Sequence, residues 1–273
     1  MKKTKRLTYS FTIIIALLFG SLSMRAQAVF CGDTVLVDTT LTSVLACSGP
    51  GLILGASNIT LDCNGLTITG SGTDTGIALD GVSGVTVKNC GVIDFAVGIF
   101  VATGADQNYI IENRVLGSTS VGNGAIEIRS NGNVVEQNTA SDNTGRGFAL
   151  VDAAGNIIAD NFSILNGFRG IDVIDSNFNY LFRNKAIENF SGGFVISGTS
   201  SNNTLNKNFA EFSGSEGFAI FSAGNFLISN RASKNTTFGF NDTTGPANTY
   251  TNNKCIFNGT AGSSNGLLCT PQP

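Results

Sequence analysis

Beyond residue 30 the apolar residues never settle into a sustained helical spacing; they alternate with polar ones in short runs. A glycine opens the clearest of these runs, at Gly76–Leu79, Gly98–Val101, Gly147–Leu150, Gly170–Val173, Gly193–Ile196 and Gly217–Ile220. Ala125–Ile128 fills the place between the second and third, with alanine in the glycine slot. Gly239 and Phe240 continue the series, and Gly266 and Leu267 close it. Such runs predict short, half-buried β-strands.

A polar column keeps step with the runs. Asn64, Cys90, Asn113, Asn138, Asn161, Asn184, Asn208, Asn230 and Asn253 follow one another at 22 to 26 residues. Five residues earlier stands a second set, from Asn108 and Asn133 to Asn248, and five residues later a third, including Asn143, Asn166, Asn189, Asn235 and Asn258. Self-similarity at this period is the mark of a solenoid, in which one supersecondary unit stacks on the next. Three strand-like runs per period predict an all-β, single-stranded parallel β-helix of about 23 residues and three short strands per coil. Glycine and asparagine tolerate the left-handed backbone that sharp corners need, and stacked asparagine side chains can hydrogen-bond from coil to coil.

Three inward columns follow from the register. One is large (Ile110, Val135, Ile158, Leu181, Leu205, Leu227, Tyr250), a second is large (Ile77, Ile99, Phe148, Ile171, Phe194, Phe218, Phe240), and the third is mostly small (Val115, Ala140, Ser163, Ala186, Ala210, Ala232, Cys255). Leucine-rich repeats share the period, but their Leu-x-x-Leu-x-Leu pattern is missing.

The repeat resembles the right-handed parallel β-helix family of exported proteins, the pectate-lyase-like superfold. The opening segments Cys31–Val35 and Leu61–Gly70 resemble the N-terminus of a secreted bacterial and archaeal subgroup of it. The resemblance spans residues 31 to 269. It implies the fold, while activity is left open, because that superfold carries lyases, hydrolases and adhesins alike.

The first 28 residues read as a secretory leader. Lys2, Lys3, Lys5 and Arg6 precede an apolar run from Phe11 to Leu22, and Ala26-Gln27-Ala28 is a small-x-small cleavage site. The run is shorter than the roughly 20 residues of a membrane span. The expected organisation is leader 1–28, N-terminal cap and first coils 29–75, repeats 76–254, and C-terminal cap and tail 255–273, with a mature chain exported to the periplasm or cell surface.

Charge narrows the partners. The chain has 16 Lys and Arg against 19 Asp and Glu, and the leader takes five of the basic residues and none of the acidic ones. The remainder is acidic and shows no basic stripe along the sequence, which sets nucleic acid and anionic lipid aside. Histidine is absent, and both methionines lie in the leader. Serine–histidine relays and imidazole metal sites are thereby excluded, and soft copper ligands are missing.

Six cysteines allow 15 pairings. The register brings Cys63 beside Cys90 in adjacent coils, Cys31 and Cys47 bracket the first turn, and Cys269 follows Cys255 after a Gly/Ser-rich loop. The expected disulfides are 31–47, 63–90 and 255–269.

Candidate chemistry lies on the outward side of the glycine-led strands, at Ala78, Phe100, Glu127, Ala149, Asp172, Val195, Ala219 and Asn241. Glu127, Arg129 and Asp172 are the charged residues in its middle, and Arg146 and Arg169 sit at the corner leading in. Glu127 and Asp172, two coils apart, would stand about 9.6 Å from each other at the spacing of paired strands, near the separation of an inverting hydrolase pair. The plainer reading is a set of ion pairs on a solvated face. Phe100, Val151, Val195 and Phe221 suit glycan or protein contact. The sequence therefore predicts a binding or structural scaffold at the cell envelope, with a glycan or an envelope protein as partner. The alternative is a polysaccharide lyase or glycoside hydrolase using Glu127, Asp172, Arg129, Arg146 and Arg169. No cofactor is expected, and calcium would enter only with a lyase.

Overall fold

The computed structural model describes residues 28–245, 247–264 and 268–272. The leader and the expected closing pair Gly266–Leu267 lie outside them. Three short strands per coil build three parallel sheets of eleven, ten and eleven strands, each strand pairing with its counterpart one coil on. We name them sheet A (the glycine-led runs, for example Gly124–Ile128), sheet B (for example Val134–Glu136) and sheet C (for example Thr139–Ser141). Among the described residues there is no helix. The architecture is the right-handed β-helix expected from the repeat.

The bore is filled as the three inward columns require. In sheet A, Ile77, Ile99, Ile126, Phe148, Ile171, Phe194, Phe218 and Phe240 are successive register partners and all are buried. The Phe194, Phe218 and Phe240 rings stack at 4.8 and 4.6 Å between centroids, the spacing of the coils themselves. Opposite them the column of sheet C is small at Ala140, Ser163, Ala186, Ala210 and Ala232, which is why sheet A can carry phenylalanine. A Cβ on Gly217 would meet the Ala232 methyl at 2.8 Å, so glycine precedes Phe218 for lack of room, while Ala125 is accommodated before Ile126.

Sheet A ends one step earlier in sequence than expected. Its last strand is Ala261–Ser263, with Ser263 paired to Phe240, so Gly262 occupies the slot expected for Gly266. The Gly/Ser-rich sequence after it hid the strand. At the other end, Leu52–Leu54 already pairs with the strand of Ile77, a coil the glycine series did not include.

The asparagines form three buried ladders, one at each corner. Asn161 shows the pattern. Its Oδ1 accepts the Asn138 backbone N–H at 2.9 Å and the Asn138 side-chain amide at 3.0 Å, while its own Nδ2 donates to Val135 O at 2.8 Å and Asn184 Oδ1 at 3.0 Å. Every polar group of the side chain is thus used inside the bore, where an unmet one would be costly.

The left-handed corner residue, however, is the one before the ladder asparagine. At the corner between sheets B and C it is Glu112, Gln137, Asp160, Arg183, Lys207, Ser229 and Asn252, all with φ near +55°. Side-chain hydrogen bonding, rather than backbone tolerance, is what selects asparagine. Asn64 stands outside its ladder: four residues rather than two join Thr60–Asp62 to Thr67–Thr69, and Asn64 lies exposed in that wider corner.

All three expected disulfides are present, Cys31–Cys47, Cys63–Cys90 and Cys255–Cys269, and no described cysteine is free. Two of them tie the terminal coils, where sheet edges are otherwise open.

Candidate functional site

The outward column of sheet A has the expected register: Phe100, Glu127, Ala149, Asp172 and Val195 are consecutive partners. Glu127 and Asp172 therefore do stand two coils apart, with Ala149 between. The face around them is not a solvated one. Glu127 is 1 % exposed, Asp172 is fully buried, and Ala149, Val195 and Ala219 are buried too. The turns entering sheet A lean over it: Gly124 N–H donates to Glu127 Oε2 at 2.9 Å, and Arg146 donates to the Gly122 carbonyl.

Each carboxylate is held by arginine. Arg129 Nε lies 2.6 Å from Glu127 Oε1. Asp172 Oδ2 accepts from Arg146 Nε at 2.5 Å and from Arg169 Nη1 at 2.9 Å. The register explains Arg146, which comes from the coil before, and the i, i+3 spacing explains Arg169. Both guanidiniums also pack on the Phe168 ring, 5.3 and 4.8 Å from its centroid, and Arg129 lies 5.8 Å from that of Phe100. Asp172 Oδ1 has no hydrogen-bond partner.

All five candidate residues thus fall in one stretch of one face, with the two acids buried rather than on the solvated surface expected. The carboxylates are beneath and the guanidiniums above, with Arg129, Arg169 and Arg146 side chains 41, 24 and 14 % exposed. Three cations over two anions leave this patch net positive on an acidic chain. What it offers a visiting molecule is a set of restrained N–H donors flanked by aromatic rings. Among the described residues no three Asp, Glu or Cys side chains converge as a metal site would require.

A second feature escaped the sequence reading. On sheet C the outward column runs Arg114, Thr139, Phe162, Lys185, Phe209, Arg231, Lys254. A basic stripe therefore exists, contrary to the linear reading. Its members stand more than 20 residues apart in sequence, and only the coil register lines them up. No helix among the described residues is long and apolar enough to cross a membrane.

Residues 75–225 match the family model described as right handed beta helix region. Three solved structures are similar in fold. The A-module of the Azotobacter vinelandii mannuronan C-5 epimerase AlgE4 has a TM-score of 0.57 at 16 % identity, with 88 % of this chain and 76 % of that one covered. A variant catalytic domain of a GH87 α-1,3-glucanase in complex with nigerose has a TM-score of 0.53 at 13 % identity, with 89 and 61 % covered. A variant of the periplasmic alginate epimerase AlgG has a TM-score of 0.51 at 14 % identity, with 87 and 74 % covered. At such identities the likeness is one of fold. The search of curated proteins returns no match.

Proposed function

The chain belongs to the right-handed β-helix family, and from that premise we propose that it is an exported scaffold that binds glycan on the outer face of sheet A without cleaving it. The observation that carries this reading is the layering of the charges. Glu127 and Asp172 are buried behind Arg129, Arg146 and Arg169, so the groups a sugar would meet are donors rather than acids or bases. Guanidiniums already fixed by carboxylates and rings lose little further freedom when a ligand arrives. The three solved structures similar in fold are named for alginate, mannuronan and α-1,3-glucan, which supports a polysaccharide as the ligand class. Three disulfides fit an oxidising compartment outside the cytosol.

A glycan array followed by titration calorimetry tests the reading. The wild-type chain is expected to retain at least one polysaccharide, and Arg129→Ala with Arg169→Ala to weaken it about tenfold or more, the cost of losing a charge-assisted hydrogen bond. Unchanged affinity in that variant would place the ligand elsewhere and overturn the assignment of sheet A.

A further inference from the structure

Of the basic side chains among the described residues, Lys88, Arg129, Arg146, Arg169, Arg183 and Lys234 each meet a carboxylate. Arg114, Lys185, Lys207, Arg231 and Lys254 form no ion pair with any described residue. All five are exposed, and all five lie on one side of the solenoid. Arg114, Lys185, Arg231 and Lys254 share the outward column of sheet C, and Lys207 stands at the corner beside it. The column is parallel to the solenoid axis, and Lys185 to Lys254 covers three coil spacings, about 14 Å.

Three of the five cations lie against rings rather than acids. Lys185 Nζ lies 4.9 Å from the Phe162 centroid, Arg231 Cζ 5.2 Å from that of Phe209, and Lys207 Nζ 5.8 Å from that of Phe182. A ring orients a cation without neutralising it. Of the carboxylates flanking the column, Asp160 is engaged by Arg183 and Glu211 by Lys234, while Glu112 and Glu188 stand exposed at its corners with no ion pair to a described residue. A shallow depression lined by Gln137, Thr139, Asp160, Phe162, Arg183 and Lys185 opens at the end of the charged run.

We infer that this column is a second docking surface, distinct from sheet A, for an extended polyanion laid along the solenoid axis, and that the polyanion is a linear acidic polysaccharide. Charges strung along the axis, with Arg231 and Lys254 one coil apart, Phe209 between Arg231 and Lys185, and Lys207 at the adjoining corner, match an extended chain of carboxylates better than a compact anion. Free cations on an otherwise acidic chain give such a ligand a place to settle apart from sheet A. Binding here requires neither Arg129 nor Arg169, so this surface and the glycan site on sheet A stand or fall separately.

The test uses polygalacturonate, with dextran, a duplex DNA oligonucleotide and phosphatidylglycerol vesicles beside it. The R129A/R169A chain, carrying an unaltered sheet C, is expected to bind polygalacturonate, at least tenfold more weakly as salt rises and the Debye length shrinks. Adding K185A/R231A/K254A is expected to reduce affinity at least tenfold with the melting temperature unchanged. Should that variant melt early, K185Q/K254Q must show a reduction of several-fold at unchanged melting. Equal binding to dextran, tighter binding to the DNA or the vesicles, or full affinity after the sheet C substitutions would each overturn the inference.

Discussion

A single buried asparagine ties three successive coils together. Asn184 donates to Ile158 O at 2.7 Å and Asn208 Oδ1 at 3.0 Å, and accepts the Asn161 backbone N–H at 3.0 Å. Asn184→Ala removes the acceptor and leaves that N–H unmet inside the bore, while the Ile158 carbonyl loses its side-chain donor. The expected loss is about 1–3 kcal/mol, read from the urea midpoint. Asn64→Gly, which keeps the left-handed backbone of the exposed wide corner (φ 53°), is expected within about 0.5 kcal/mol of wild type. Equal effects at the two positions would mean that the ladder contributes nothing beyond turn propensity. The ladder asparagines were legible in the sequence because they recur in phase. Their role was half legible: the left-handed residue is the neighbour, and Arg183 or Lys207 carries no sign of that conformation.

At the scale of the coil, the last turn replaces the apolar plug with a polar one. Ile220 of sheet A is followed in register by Asp242, which accepts from Thr244 N at 2.8 Å, Thr244 Oγ1 at 2.6 Å, Asn248 Nδ2 at 3.1 Å and Tyr250 Oη at 2.7 Å. Burial opposes the charged carboxylate, but the hydrogen bonds from Thr244, Tyr250 and Asn248 outweigh it and hold Asp242 below the ordinary range. Burial and the same carboxylate push the Tyr250 hydroxyl well above its usual range, so it remains a donor. A depressed carboxyl contributes stability above its unfolded pKa of about 4, and that contribution is lost as pH falls through the folded value. Asp242→Asn should therefore lower the urea midpoint at pH 7, and the gap to wild type should narrow well below pH 4. A gap independent of pH would show that the charge of Asp242 contributes nothing. This coil was the least legible from sequence, since Asp242 interrupts the inward alternation and the strand Ala261–Ser263 lies in a Gly/Ser-rich stretch.

Over the whole molecule, repetition made the architecture readable and hid the sites. A 23-residue period constrains every inward position, so strand count, bore filling and all three disulfides could be read from spacing. Outward positions obey no such constraint. Burial of Glu127 and Asp172 depends on how far the turns entering sheet A lean across it, and spacing is silent on that. The unpaired cations of sheet C are scattered in the chain and gather only through the register. Both surfaces point to a rod that holds polysaccharide rather than one that processes it. The most direct test incubates the purified chain with alginate, polygalacturonate and α-1,3-glucan, following bound polymer together with new reducing ends and unsaturated products. The expected result is retention of at least one polymer with no product formed. Products that accumulate with the wild-type chain and disappear with Glu127→Gln and Asp172→Asn combined, in a variant that still folds, would contradict the account and make sheet A an active site.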